Sequence, residues 1–104
     1  MHVSKPGQLT EEQVQLIAKA LADPRRYEIV KRISRCKNNT LACETVRECL
    51  DISAPTISHH MKELEIAGLI RAQRSGKFIS YQLRRDVLES FLRQVRRDFI
   101  GPGA

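Results

Sequence analysis

Apolar residues recur along this chain at two spacings, and the change of spacing divides it into elements. From about Thr10 to Ala22 the spacing is helical. Val14, Ile17, Ala18 and Leu21 make one stripe, and Leu9, Leu16 and Ala20 make a second on another side. Thr10 is a natural N-cap there, and Glu11 and Glu12 suit the positive end of the helix dipole. Asp23-Pro24 then predicts a second helix, with Asp as cap and Pro at the first helical position. Tyr27, Ile29, Val30 and Ile33 would be its buried side. It ends near Ser34–Cys36, where "KNN" is turn-like.

A third helix is expected after Thr40 as cap, with Leu41, Val46 and Leu50 as its apolar positions. Ser53 is expected to cap a fourth, with Pro55 tolerated in its first turn and Gly68 at its end. Ile57, Met61, Leu64 and Ile66 would face inward. The pattern then changes to that of strands: "LIRAQRSGKFISYQL" contains two runs joined at Ser75-Gly76, a hairpin signal. A last helix covers about Arg85 to Ile100, with Leu88, Phe91, Leu92, Val95 and Phe99 on one stripe.

Helices three and four are short and joined by "DIS", the outline of a helix-turn-helix whose second helix lies in the DNA major groove. The hairpin behind it makes a winged version. The expected fold is therefore mainly α with a small β-hairpin wing, in the order α-α-α-α-β-β-α. It would be a single domain over residues 1–104, with 1–8 and 101–104 as loose termini. Ser53, Thr56, Ser58, His59 and Lys62 are short or cationic groups that do not belong to the core stripe of helix four. They are candidates for contact with base edges and phosphates. Arg71, Arg74 and Lys77 on the hairpin are candidates for phosphate or minor-groove contact. Arg25 and Arg26, at the start of helix two, read as solvated residues.

Composition narrows the class. The chain has 104 residues, 41% hydrophobic and 29% charged, with a net charge of +6. That excess favours polyanionic partners through counterion release. No apolar run approaches the roughly 20 residues that span a bilayer, and the N-terminus lacks the apolar core of a secretion signal. A cytoplasmic protein without membrane contact is expected. No Gly-rich phosphate loop, carboxylate pair or C-x-x-C appears, so neither an enzyme nor a bound cofactor is expected.

The three cysteines do not look like a disulfide framework. Cys49 reads as a small filler of helix three. Cys43 and Cys49 are six apart, about 240° around a helix, and should not meet. Cys36 and Cys43 flank the turn between helices two and three. Cys36 lies between Arg35 and Lys37, and Cys43 near the unpaired N–H groups of a helix start. Both settings suit a reactive thiol. Adjacent His59 and His60 point about 100° apart and would chelate a metal poorly.

Three segments resemble the ArsR/SmtB family of winged-helix repressors: "LADPRRYEIVKRI", "LDISAPTISHHMKELEIAGLI" and "RSGKFISYQL", the last being wing and return strand. The resemblance covers about Leu16 to Leu83. It implies a homodimer, built through the first and last helices, that occupies a double-stranded DNA operator and releases it when an effector is sensed. The second apolar stripe of helix one agrees with dimerisation independently. Many metal-sensing members carry a CxC pair at the start of helix three. Here "TLACETVRECLD" has one cysteine near that position. Others bind zinc through Asp and His of the last helix, and "RRDVLESFLRQVRRDF" contains no histidine. Neither metal site is therefore expected. The effector reading is oxidation or electrophile modification of Cys36 and Cys43. The alternatives are arsenite or another soft metal on the same cysteines, or a DNA-binding or protein-interaction module that senses nothing.

Overall fold

The computed structural model describes residues 8–50 and 52–101, the side chain of Cys49 excepted. The expectations for residues 1–7 and 102–104 as loose ends, and for Cys49 as a filler, lie outside the described residues. Gly101 belongs to the fold: at φ 97° its N–H donates to Arg96 O at 3.1 Å and closes the last helix.

Thr10 starts α1 (Glu11–Leu21) with a reciprocal cap. Its Oγ1 accepts from the Gln13 N–H at 3.1 Å, while its own N–H donates to Gln13 Oε1 at 3.1 Å. Asp23 caps α2 (Pro24–Ser34), its Oδ1 accepting from the N–H groups of Arg25 and Arg26 at 2.8 and 3.1 Å.

Between α2 and α3 the structure corrects the sequence. Thr40 does not cap a helix. A 3₁₀ turn over Lys37–Asn39 leads into a strand, β1 (Thr40–Ala42), and α3 (Cys43–Leu50) begins only at Cys43. The cause lies in Asn38 and Asn39, which both take up positive φ, 58° and 52°. Asparagine adopts that conformation more readily than most residues. The turn lays Thr40, Leu41 and Ala42 along Gln82, Tyr81 and Ser80. There the ladder satisfies backbone groups that a first helical turn would leave open. The Thr40 hydroxyl donates to Asn38 O at 3.0 Å instead of capping.

Helix α4 (Ala54–Ile66) leads into β2 (Ile70–Ser75), β3 (Phe78–Leu83) and α5 (Arg85–Phe99). The expected two-stranded wing is part of a three-stranded antiparallel sheet in the order β1-β3-β2. Register runs from Ile70↔Leu83 to Ser75↔Phe78. Gly76 and Lys77 are left as a two-residue loop, with Gly76 at φ 60°, where such loops favour glycine.

Ile17, Ile29, Ile33, Val46, Ile57, Met61, Leu64 and Leu69 are sealed from solvent and join α1–α4 to Ile70, Tyr81 and Leu83 of the sheet and Phe91 of α5. Each such aliphatic contributes about 1.5–3 kcal/mol by burial. The exposed pairs of Glu28 with Lys31 and Arg32 contribute about 0–1 kcal/mol each. Packing, not surface charge, therefore holds the domain.

Several core expectations change. Tyr27 and Ile66 are more than half exposed. Ala20 is buried in its own protomer and Ala18 is exposed, so the two stripes of α1 exchange these alanines. On α5, Phe91 is buried and Leu88 and Val95 are half-buried, but Leu92, Phe99 and Ile100 are 55, 81 and 61% exposed. That apolar face is wider than one protomer covers.

Candidate nucleic-acid interface

Helix α4 is oriented by a stripe at Ile57, His60, Met61 and Leu64, all buried, the i, i+3, i+4, i+7 spacing of a helix with one face in a core. Its opposite face is thereby fixed outward: Ser58, His59 and Lys62 are exposed and Thr56 is half-buried. Ser53 takes the N-cap position, φ −63°, ψ 153°, but its side chain caps nothing. Its Oγ donates to Thr56 Oγ1 at 2.9 Å, which leaves the Thr56 O–H as a donor. Pro55 brings no N–H to the first turn, so one fewer donor needs a cap.

In the wing, Arg74, Lys77 and Phe78 line a groove shared with Cys43 and Arg47 of α3. Arg47 is exposed, a further cation of this face that the sequence reading passed over. Arg71 is set apart from this cluster. It lies three residues from Arg74, on the other face of β2, where its Nε donates to Gln82 Oε1 at 3.2 Å.

The structure also overturns the reading of Arg26 as solvated. Its Nε donates to Ala20 O at 2.8 Å, and its Nη1 lies 3.4 Å from His60 Nδ1. Arg26 thus joins the end of α1, the start of α2 and α4. His60 is 7% exposed. Burial pushes its pKa below the ordinary histidine value; the Asp23 charge opposes this and the Arg26 charge adds to it. The Asp23 carboxyl is held below the usual carboxylate range, chiefly by the Arg26 N–H. A signal was present in the sequence: His60 falls on the Ile57–Met61–Leu64 stripe, and a cation in the first turn of a helix opposes the dipole unless something else holds it.

Cys36 and Cys43 are both half-buried free thiols. The Cys36 S–H donates to Arg32 O at 3.1 Å. Burial raises the pKa of Tyr81, and Cys43 raises it further. The sequence placed the two cysteines across a tight turn. The structure puts β1 between them.

Among the described residues, no three His, Cys, Asp or Glu side chains gather in a way that could hold a metal ion, and no helix is long and apolar enough to cross a membrane.

A family model described as a helix-turn-helix domain matches residues 21–73. The chain is 33% identical over 87 residues to the transcriptional repressor SdpR of Bacillus subtilis, covering 84% of this chain and 92% of that protein. It is 35% identical over 81 residues to the arsenical resistance operon repressor of Staphylococcus xylosus, covering 78% and 75%. Among solved structures, an ArsR family transcriptional regulator superposes with a TM-score of 0.76 at 23% identity, over 88% of this chain and 91% of that one. The homodimeric winged helix-turn-helix DNA-binding domain of a possible ArsR-family regulator from Mycobacterium bovis superposes with a TM-score of 0.68 at 30% identity, over 84% and 80%.

Proposed function

Because the chain belongs to the ArsR family of winged helix-turn-helix transcriptional regulators, we propose that it is a cytoplasmic, non-enzymatic repressor that occupies a specific double-stranded DNA operator and releases it when an effector is sensed. The observation that carries the DNA reading is the division of α4: Ile57, His60, Met61 and Leu64 face the core, while Ser58, His59 and Lys62 are exposed beside a cationic wing. In this reading Ser53, Thr56, Ser58 and His59 reach base edges or adjacent phosphates, and Lys62, Arg74 and Lys77 take phosphates. Arg71 keeps its Nη donors for a phosphate while its Nε holds Gln82. Binding to the chain's own upstream DNA, compared with Ser58→Ala and His59→Ala, tests it. Each lost base contact should weaken binding by about 1–3 kcal/mol. Unchanged affinity in both variants overturns the assignment.

The proposed assembly is a two-fold dimer through α1 and α5. Leu92, Phe99 and Ile100 supply exposed apolar area, and Val14 and Ala18 of α1 continue it in a groove with Val95 and Phe99. Leu16 is not part of that surface. It lies beside Ile66 on the other side of α1.

For the effector we propose thiol chemistry at Cys43 and Cys36. Cys43 is the first residue of α3 and directly follows β1, which is paired to β3 at Leu41↔Tyr81 while Tyr81 also pairs with Ala72 of β2. Modifying Cys43 therefore disturbs all three strands and the start of the helix-turn-helix together. Oxidation can also join Cys36 and Cys43 in a disulfide. The two thiols then give two protons and two electrons to an oxidant such as a hydroperoxide, which leaves as an alcohol and water. Peptide mapping of oxidised protein separates the routes. A Cys36–Cys43 bridge or a Cys43 adduct with loss of DNA binding supports thiol sensing. Release by arsenite alone favours metalloid ligation, and no response to either favours a regulator that senses nothing.

A further inference from the structure

We propose that Arg26 and His60 are positioning residues that hold the recognition helix in its DNA-reading orientation, and that acid releases them: protonating His60 removes the acceptor that ties α4 to the junction of α1 and α2. This inference rests on the DNA-binding reading of α4.

The geometry is specific. His60 occupies a core position of α4 between Ile57 and Leu64, with 7% of its surface exposed. Arg26 anchors on Ala20 O at 2.8 Å through Nε and reaches His60 Nδ1 at 3.4 Å through Nη1. Arginine has no acceptor, so Nδ1 must accept, which fixes the neutral ring with its proton on Nε2. A solvent proton arriving at Nδ1 turns that acceptor into a donor. An N–H then faces an N–H, and two cations share a partly buried site. The arrangement relaxes only if the ring leaves the arginine, and the ring is attached to the helix that carries Ser58, His59 and Lys62.

The surrounding charges do not cancel this. Asp23 attracts a proton to His60, while Arg25, Arg26 and His59 repel one. The Asp23 carboxylate oxygen is already engaged by two backbone N–H groups. Lys19 and Glu63 line the shallow cleft around Arg26. The charged side chains of the other elements packed on α4 are exposed: Glu44, Arg47 and Glu48 on α3, Arg71 and Arg74 on β2. Burial is the largest influence on the ring and favours the neutral form.

DNA phosphates themselves favour protonated histidines, His59 among them, so acid has an opposing, general effect on affinity. The test is therefore a difference. Asparagine can accept from Arg26 through Oδ1 and does not titrate. Operator affinity of the parent and of His60→Asn is measured at about pH 7.5 and about pH 5.5, within the range of histidine titration. The parent should lose about three- to fivefold relative to the variant on acidification to pH 5.5, the part of the tenfold from one pKa unit between free and bound protein that is reached there. Without DNA, the Arg26 Nε–H and the α4 amide signals should shift together with the His60 ring in one NMR titration that is missing in His60→Asn. Affinities that track within about twofold, or α4 signals that ignore the ring, overturn the inference. Absence of specific binding at neutral pH would instead defeat the DNA-binding reading, which the NMR arm does not depend on.

Discussion

The face formed by α3, α4 and the wing and the face formed by α1 and α5 are both unfinished surfaces, but of opposite chemistry. The first exposes Ser58, His59, Lys62, Arg47, Arg74 and Lys77. The second exposes Leu92, Phe99 and Ile100. A cationic surface with short hydrogen-bonding side chains is complementary to a polyanion whose base edges must be read at close range. An apolar helix face gains by excluding water against a copy of itself. One core supports both: Ile17 and Phe91 on the apolar side belong to the same cluster as Ile57 and Leu64 beneath the recognition helix. The difference teaches that assembly and reading are separable at the surface and coupled underneath.

The largest effect should come from breaking what the two faces share. Ile57 is fully buried, and Ile57→Ala should cost about 2–5 kcal/mol, lowering the midpoint of a chemical denaturation curve and weakening dimer and operator binding together. Loss of one function alone would mean that the faces do not share a core. Next is the apolar face. Phe99→Asp should convert the dimer to monomer in sedimentation at micromolar concentration while circular dichroism stays that of the parent. Leu16→Asp, beside Ile66, should leave the dimer intact. The reverse pattern would place the interface on the other side of α1.

On the cationic face, Lys77→Gln should lower the salt slope of DNA binding by about one unit, nearly equally for all sequences. An unaltered slope would mean that the wing tip stays off the backbone. The smallest effect concerns pH and stability. His60 is held below its ordinary value of 6.5, so the unfolded chain takes up its proton first as the pH falls. Stability should decline from about that pH down to the lowered folded value and be fully present above it. Asp23 and Asp86 are also lowered and add a second decline only in the carboxylate range, as the pH falls through their folded values. His60→Asn should remove the first decline and leave the second.

Most of the helical frame was legible in the sequence because it is local. The Thr10 and Asp23 caps, Gly68 after α4 and Gly76 in the hairpin stand where the residue types placed them. β1 was not legible, because Thr40–Ala42 is a strand only through its partner β3, some forty residues on. The outward face of α4 followed from spacing alone, since the core stripe decides what is left outside. The Arg26–His60 contact bridges thirty-four positions and joins two residue types usually found in water. Only the oddity of a histidine on an apolar stripe hinted at it.

Everything proposed for the two faces requires that α4 reads DNA sequence from a dimer. Footprinting the parent on its own upstream DNA and on a scrambled duplex of equal composition, at one fixed salt concentration, tests this most directly. Two half-sites about one helical turn apart should be protected, with the scrambled duplex bound at least about a thousandfold more weakly and the preference reduced in His59→Ala. Equal affinity for both duplexes, or a preference that survives in His59→Ala and Ser58→Ala together, would contradict it.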